Sequence, residues 1–167
     1  MATETLDKAG RIAFMGVTPE VSAALAGVWG IVRPNMETLL NGFYQHVTAV
    51  PTLAALIGAR QATLKQAQSR HWEMVFSGRF DDAYFDSACE IGMVHYRIGL
   101  APRWYIGDYN YMLRNVTALI ARRHRFSIAK TICAINATTT AVMLDMDVAI
   151  SVFQSPCCSN GNSAVSG

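Results

Sequence analysis

A histidine on an otherwise apolar helix face is the residue of this chain best placed to bind a metal. Residues that share one helical face follow one another at steps of three or four: Phe85, Ala88, Ile91, Gly92, His95 and Ile98. An imidazole in such company is either a core histidine that bonds to backbone groups or the ligand of a metal or a haem. The residue types on this face leave both interpretations open.

The residues after His95 predict that one helix ends and the next begins within a few positions. Gly99 can adopt the left-handed conformation that ends a helix, and Pro102 suits the first turn of the next one. If one ring nitrogen of His95 binds iron, the other N–H needs an acceptor that fixes the ring. The carbonyl of Ile91, one turn earlier, is the predicted acceptor.

The run HYRIGLAPRWYIGDY, residues 95–109, resembles the signature of globin-coupled sensors, in which a haem-ligating histidine begins the run. The matched positions are His95, Arg97, Ile98, Gly99, Leu100, Pro102, Arg103, Trp104, Tyr105, Gly107 and Tyr109. The resemblance extends over residues 18–153. It implies an all-α, globin-like fold of about six main helices around a pocket for haem b, with His95 as the proximal iron ligand.

The same resemblance implies a distal tyrosine. The pair Phe43 and Tyr44 matches the F-Y pair that carries it in the family. Dioxygen gains partial negative charge when it binds ferrous haem, so an O–H donor in a dry pocket stabilises it selectively over carbon monoxide. Tyr44 is therefore the predicted donor to dioxygen.

The run LKQAQSRHW, residues 64–72, resembles the distal helix of the family. Ala67 stands where members often carry threonine or a larger aliphatic residue, and alanine can neither donate a hydrogen bond nor block the pocket. Gln68 and His71 are secondary candidates for this wall, although a structural role is favoured for His71. Gly92 is expected to leave room for the macrocycle. The residues predicted to contact haem are Phe43, Leu64, Ala67, Gln68, His71, Ile91, Gly92, Ile98, Trp104 and Tyr105.

The last helix carries a heptad-like seam with steps of four and three. Its members are Ile128, Ile132, Ile135, Thr139, Val142, Met146, Ala149 and Phe153. The seam is either a core stripe or a subunit interface, and some interface use is favoured. A homodimer through the last two helices, as the resemblance implies, would use Ile132, Ile135, Thr139, Val142 and Met146.

Helix start and stop signals predict the remaining elements. Thr18-Pro19-Glu20 begins the first helix, which is expected to break at Gly30, and a looser segment is expected over residues 51–60. The other predicted helices cover residues 34–50, 62–77, 82–98, 102–123 and 127–154. Three parts are expected: a loosely packed extension (1–17), the sensor globin domain (18–154), and a flexible tail or linker to an absent output module (155–167).

Composition limits the classes of partner and compartment. A net charge of +2 in 167 residues argues against nucleic acid or an anionic membrane as the partner. The chain shows no secretory leader, and its longest apolar run, 21–32, is too short to span a bilayer. These features predict a cytoplasmic protein without membrane insertion. Its cysteines are expected to be free thiols: Cys89, Cys133, Cys157 and Cys158.

No enzyme apparatus is visible in the sequence. Asp145 and Asp147 point to different sides of a helix, and neither a glycine-rich phosphate loop nor a G-x-S-x-G turn occurs. The resemblance implies a non-enzymatic sensor of dioxygen, able to take carbon monoxide and nitric oxide, and residues 142–154 look most like members with a chemotaxis transducer. The alternatives are a sensor for a diguanylate cyclase, a standalone globin that stores dioxygen or turns over nitric oxide or peroxide, and a non-haem interaction module.

Overall fold

A computed structural model of the chain describes residues 7–153. Within that range the chain is all-α, as predicted, and contains eight α-helices, two 3-10 turns and no strand. The α-helices are α1 (Lys8–Phe14), α2 (Pro19–Val32), α3 (Met36–Thr48), α4 (Pro51–Ile57), α5 (Gln61–Phe76), α6 (Asp82–Arg97), α7 (Pro102–Arg123) and α8 (Ile128–Ser151). The six longer ones, α2, α3 and α5 to α8, are the six main helices that the sequence predicts.

Side-chain caps begin the helices at the predicted positions. The Thr18 side chain accepts from the Val21 N–H at the start of α2, and the Asp81 carboxylate accepts from Tyr84 N–H before α6. Ser127 caps α8 in the same way. Each cap satisfies an amide that the first turn of a helix would leave unpaired, and is worth about 1 kcal/mol.

Two local expectations are wrong. The predicted break at Gly30 does not occur, because α2 continues through it to Val32. One helical glycine costs only about 1 kcal/mol, and burial of Val28 and Val32 on the same helix outweighs that cost. The segment expected to be loose is largely helical, since α4 covers Pro51–Ile57 and buries Leu53 and Ile57 against the core.

The N-terminal extension is more ordered than its sequence predicts. Asp7 caps α1, Lys8 Nζ lies 2.6 Å from Asp82 Oδ1, and Arg11 donates to Asp147 on α8. These pairs attach α1 to α6 and to α8, although α1 itself buries no residue completely. The predicted tail, 155–167, lies outside the described residues, together with Cys157 and Cys158. Cys89 and Cys133 are not joined in a disulfide among the described residues.

Helix α8 is the central element of the bundle and packs against α2, α5, α6 and α7. Small side chains on its inner faces allow the close approach: Ala134, Ala137, Thr138, Ala141 and Ala149. By length and composition α8 is apolar enough to cross a membrane, but half of its most apolar window is buried inside the bundle, as in the core helix of a soluble protein.

Gly92 on α6 lies very close to the backbone of α8, and this contact corrects one prediction. A Cβ on Gly92 would lie 2.4 Å from the Ala149 carbonyl oxygen and 3.0 Å from Val152 Cγ2. Gly92 therefore makes room for the backbone of α8 rather than for a macrocycle. The helix that carries His95 and the last helix of the domain are in direct contact at this point.

Replacement of Gly92 by alanine should destabilise the fold, because α6 and α8 would have to separate. We expect the free energy of unfolding to fall by about 1–3 kcal/mol, the usual range for overpacking. Gly30→Ala is the matched control, since nothing lies within 4 Å of its Cβ. That control should be neutral or stabilise by up to about 1 kcal/mol. Urea unfolding of both variants measures the difference, and equal effects would contradict the close packing.

Candidate functional site

The backbone at the end of α6 fixes the position of His95. Gly99 has a φ of +71°, its N–H donates to the Tyr96 carbonyl at 3.0 Å, and the Leu100 N–H donates to the His95 carbonyl at 3.0 Å. This pair of bonds is the Schellman ending that the glycine permits. Pro102 then begins α7, as predicted.

The imidazole of His95 is held in the state that a metal ligand needs. Its Nδ1 lies 2.8 Å from the carbonyl oxygen of Ile91, so Nδ1–H donates there and Nε2 keeps its lone pair. Burial lowers the pKa of His95, and the Ile91 bond opposes this only in part. The acceptor predicted from the sequence is thus the one that the structure shows.

Apolar side chains around His95 remain uncovered by the rest of the protein. Val94, Ile98, Trp104 and Ile106 are between 36% and 48% exposed, although they flank the α6–α7 junction. The Tyr105 ring centroid lies 4.7 Å from that of His95, which agrees with its predicted proximal position. A similar contact is absent for Trp104 among the described rings. An apolar surface next to a free imidazole nitrogen suits a flat apolar group.

The donor set also fits haem better than a bare metal ion. Within residues 7–153, no three side chains of His, Cys, Asp or Glu come together in a way that could hold a metal. Within those residues, His95 therefore has no partner side chains with which it could complete the ligand set of a bare metal ion. A porphyrin supplies four nitrogens in a plane and leaves the axial position to one imidazole.

Tyr44 on α3 is buried, with 5% of its surface exposed. Its ring packs edge-on against Phe43 at 5.2 Å. Burial, and to a lesser extent the charge of Asp108, raises the pKa of Tyr44 to about 12, so the hydroxyl keeps its proton at neutral pH. Within the described part of the chain no hydrogen bond uses this hydroxyl. Tyr44 is therefore a protonated donor without a protein acceptor.

The wall formed by α5 contains the other predicted distal residues. Ala67 is exposed and Leu64 is half-buried, so neither is enclosed by the protein itself. Gln68 is half-buried, and its Oε1 is a buried atom without a partner among the described residues. Because amide oxygen and nitrogen are assigned rather than observed, Gln68 offers either a donor or an acceptor at this point.

The ring nitrogens of His71 are both used within the protein, which argues against a role in binding iron. Its Nδ1 lies 3.1 Å from Ser87 Oγ, and its Nε2 lies 2.9 Å from Asp145 Oδ2. Both ring nitrogens are thereby occupied, which leaves none for iron or a propionate. The structural role that the sequence favours for His71 is the one found.

Sequence reasoning missed the buried carboxylate of Asp145, considering it only as a partner for Asp147. Asp145 is 1% exposed and accepts from the Tyr109 hydroxyl at 2.6 Å as well as from His71. Its spacing from Ala141 and Val148, one turn away on either side, places it on the inner face of α8 and could have indicated burial. Asp108 was missed too, and burial raises its pKa to about 7.

The predicted interface residues on α8 differ in exposure. Ile132 is 53% exposed, whereas Ile135, Thr139 and Met146 are half-buried. Val142 is 1% exposed and belongs to the core of its own subunit, so its assignment to a dimer interface is wrong. Along α8, the residues of the seam move gradually from the exposed side to the side that faces the bundle, because a heptad repeat drifts around a straight helix. A dimer through the remaining residues stays a prediction.

Comparison with known structures identifies the fold. The globin domain of a Geobacter sulfurreducens globin-coupled sensor superposes with a TM-score of 0.80 at 19% identity, over 87% of this chain and 96% of that domain. The globin domain of E. coli DosC in its ferric form gives a TM-score of 0.71 at 19% identity, over 84% and 97% of the two chains. The globin-like fold that the sequence predicts is confirmed.

Comparison of sequences adds a curated relative and a family. The heme-based aerotactic transducer HemAT of Halobacterium salinarum is 27% identical over 104 residues, which make up 60% of this chain and 21% of the transducer. The chain thus corresponds to about a fifth of that relative. The Protoglobin family model matches residues 6–156. The chain therefore belongs to the Protoglobin family, a membership that implies haem binding.

Proposed function

We propose that this domain is a haem-based sensor of dioxygen in which His95 holds haem b and α8 carries the signal. The observation that supports it best is the 2.8 Å bond between His95 Nδ1 and the Ile91 carbonyl, which leaves Nε2 free beside an uncovered apolar surface. Haem, when bound, supplies a ferrous iron that takes up diatomic gases reversibly. The chain's own residues then determine which gas is favoured and what moves.

Tyr44 provides the preference for dioxygen in this proposal. Tyr44 is a buried residue whose hydroxyl is protonated and without a protein acceptor, so the hydroxyl is available to donate to a polar ligand. Carbon monoxide and nitric oxide enter the same pocket but gain less from a donor than dioxygen does. Ala67 leaves the pocket open, since it neither donates nor fills the space above the haem plane.

The signal leaves through α6 and α8. His95 and Gly92 lie one turn apart on α6, and Gly92 contacts the Ala149 carbonyl without an intervening side chain. A shift of His95 along or across α6 is therefore felt by α8 directly, because packed helices have little free space between them. A gas changes the population of two packings only to the extent that it binds them with different affinity.

The output lies beyond the domain in this proposal. The curated relative is an aerotactic transducer, so we propose that a chemotaxis transducer in cis or a partner protein receives the signal in the cytoplasm. Two copies of the domain are proposed to meet through α7 and α8. Ile128, 79% exposed, and Ile132 support this, because large exposed apolar side chains on one helix face mark an interaction surface.

His95→Ala should abolish stoichiometric haem binding, since no other described side chain offers a free imidazole at this surface. The Soret absorbance per polypeptide measures the loss. His46→Ala is the control, because His46 is exposed and stacks only on Tyr111. Full haem content in His95→Ala would mean that another residue is the ligand. A wild-type protein that never shows a Soret band, even after addition of hemin, would refute the proposed function.

Tyr44→Phe should speed dioxygen dissociation about tenfold, the factor that corresponds to loss of one hydrogen bond of about 1.4 kcal/mol. Carbon monoxide dissociation should change by less than about threefold. Flash photolysis and stopped-flow mixing measure both rates. Tyr111→Phe is the control, because it makes the same chemical change on a neighbouring ring, 5.8 Å from Phe43. Equal acceleration for both gases would indicate a steric effect and contradict the role of the hydroxyl.

Ile132→Glu should convert the proposed dimer to a monomer, because a carboxylate would have to be buried between subunits. Sedimentation equilibrium at micromolar concentration measures the change. Lys130→Glu introduces the same side chain two residues away, on the opposite side of α8, and should leave the dimer intact. A wild-type protein that is monomeric under these conditions would remove the dimer from the proposal.

A further inference from the structure

A buried carboxylate at the crossing of four helices has no part in the haem site described above. Asp145 lies on α8 and is 1% exposed. Transfer of a carboxylate from water to such a place costs several kcal/mol unless hydrogen bonds and a partner compensate. The side chains that compensate here come from α5 and α7, the helices that carry the distal wall and the proximal ring.

One arm of this network leads toward His95. The Tyr109 hydroxyl lies 2.6 Å from Asp145 Oδ2, so its single proton is donated to the carboxylate. The Tyr105 hydroxyl lies 3.4 Å from that of Tyr109, a contact longer than an ordinary O–H···O hydrogen bond. The Tyr105 ring then contacts the His95 imidazole, with 4.7 Å between centroids. The carboxylate thus determines where the ring next to His95 lies.

The other arm leads to the distal wall. His71 Nε2 lies 2.9 Å from Asp145 Oδ2, and His71 Nδ1 lies 3.1 Å from Ser87 Oγ on α6. His71 is one turn beyond Ala67 and Gln68 on α5. The bond to Asp145 therefore fixes the helix that presents those two side chains to the pocket.

We propose that Asp145 is a positioning residue that links α8 to both faces of the haem pocket, through Tyr109 and Tyr105 to His95 and through His71 to the α5 wall. This inference rests on the proposed function, because it needs haem on His95. The role of Asp145 differs from that of the Gly92 contact. Gly92 transmits contact between backbones, whereas Asp145 sets the positions of side chains on opposite sides of the haem plane.

Stability alone does not account for the network. A buried carboxylate with its hydrogen-bonding partners contributes little net stability compared with apolar side chains of the same volume, while removal of one partner is costly. What the hydrogen bonds add is direction, since the Tyr109 hydroxyl and His71 Nε2 must stay within hydrogen-bond distance of a carboxylate on α8. A readout at the iron therefore tests the proposal better than a melting curve does.

The experiment uses haem-loaded ferrous protein and three variants. Tyr109→Phe removes one hydroxyl and keeps the ring, so it breaks only the proximal arm. Asp145→Asn keeps the shape but replaces one acceptor oxygen by a donor, so it disturbs both arms. Asp147→Asn is the matched control on the same helix, since Asp147 is 38% exposed at its side chain and pairs with Arg11 outside the network.

Two measurements separate the arms. The iron–histidine stretching band, from resonance Raman spectra, should shift in Tyr109→Phe and in Asp145→Asn but not in Asp147→Asn. The dioxygen dissociation rate should change about threefold or more in Asp145→Asn, the effect of disturbing one net hydrogen bond, and less in Tyr109→Phe. In the double variant with Tyr109→Phe and Asp145→Asn, the band should have the same position as in Asp145→Asn alone, because both changes interrupt the same series of contacts from α8 to His95.

The outcomes distinguish this inference from the proposed function. Normal haem content with an unshifted band in Tyr109→Phe and Asp145→Asn would overturn the positioning role and leave the haem sensor intact. Additive shifts in the double variant would also overturn it, because they would mean independent local effects. If Asp145→Asn does not fold, the band position in Tyr109→Phe alone decides. Wild-type protein that takes up no haem would remove both proposals together.

Discussion

The bond between the His95 imidazole and the Ile91 carbonyl is the interaction on which the function of the site depends. It costs the helix nothing, because Ile91 lies one turn before His95 and its carbonyl can accept a second hydrogen bond beside the helical one. It selects the tautomer, orients the ring and leaves the outer nitrogen as a lone pair. Burial lowers the pKa of the ring, which favours the neutral form that a ligand needs. In the proposed function, this single local contact prepares His95 to bind iron.

The order of the helices connects this local contact to α7 and α8. The Schellman ending at Gly99 stops α6 one turn after His95, and α7 begins at once, so Tyr105 returns to the same imidazole. One turn before His95, on the same face, α6 lies against α8 at Gly92, where no side chain separates the backbones. His95 is thus held between a ring on α7 and a helix contact to α8, and displacement of either is felt by the imidazole.

Sequence patterns predicted the features that depend on neighbours along the chain. They failed for features that depend on residues distant in sequence but close in space. The helix start at Thr18 and the Ile91 acceptor follow from local rules and were found as predicted. Spacing placed Gly92 on the face of His95 but could not reveal that α8, rather than a cofactor, occupies the space beside it. Likewise, a seam of the right period could not show that Val142 turns into its own core while Ile132 stays exposed. The roles of Gly92 and Val142 depend on which residues of other helices they contact, and a single sequence does not state those contacts.

The two aspartates of α8 show how one helix can serve two connections. Because they are two residues apart, their side chains leave the helix in different directions: Asp147 reaches Arg11 on the N-terminal helix, and Asp145 reaches inward to Tyr109 and His71. The outer pair is partly solvated, so water can replace it at little cost. Water cannot replace the bonds of Asp145 in this way. If its carboxylate were displaced, it would lose its hydrogen-bond donors in a dry interior. Any rearrangement of α8 must therefore either carry Tyr109 and His71 with it or break those bonds, and the first course moves α5 and α7 side chains together.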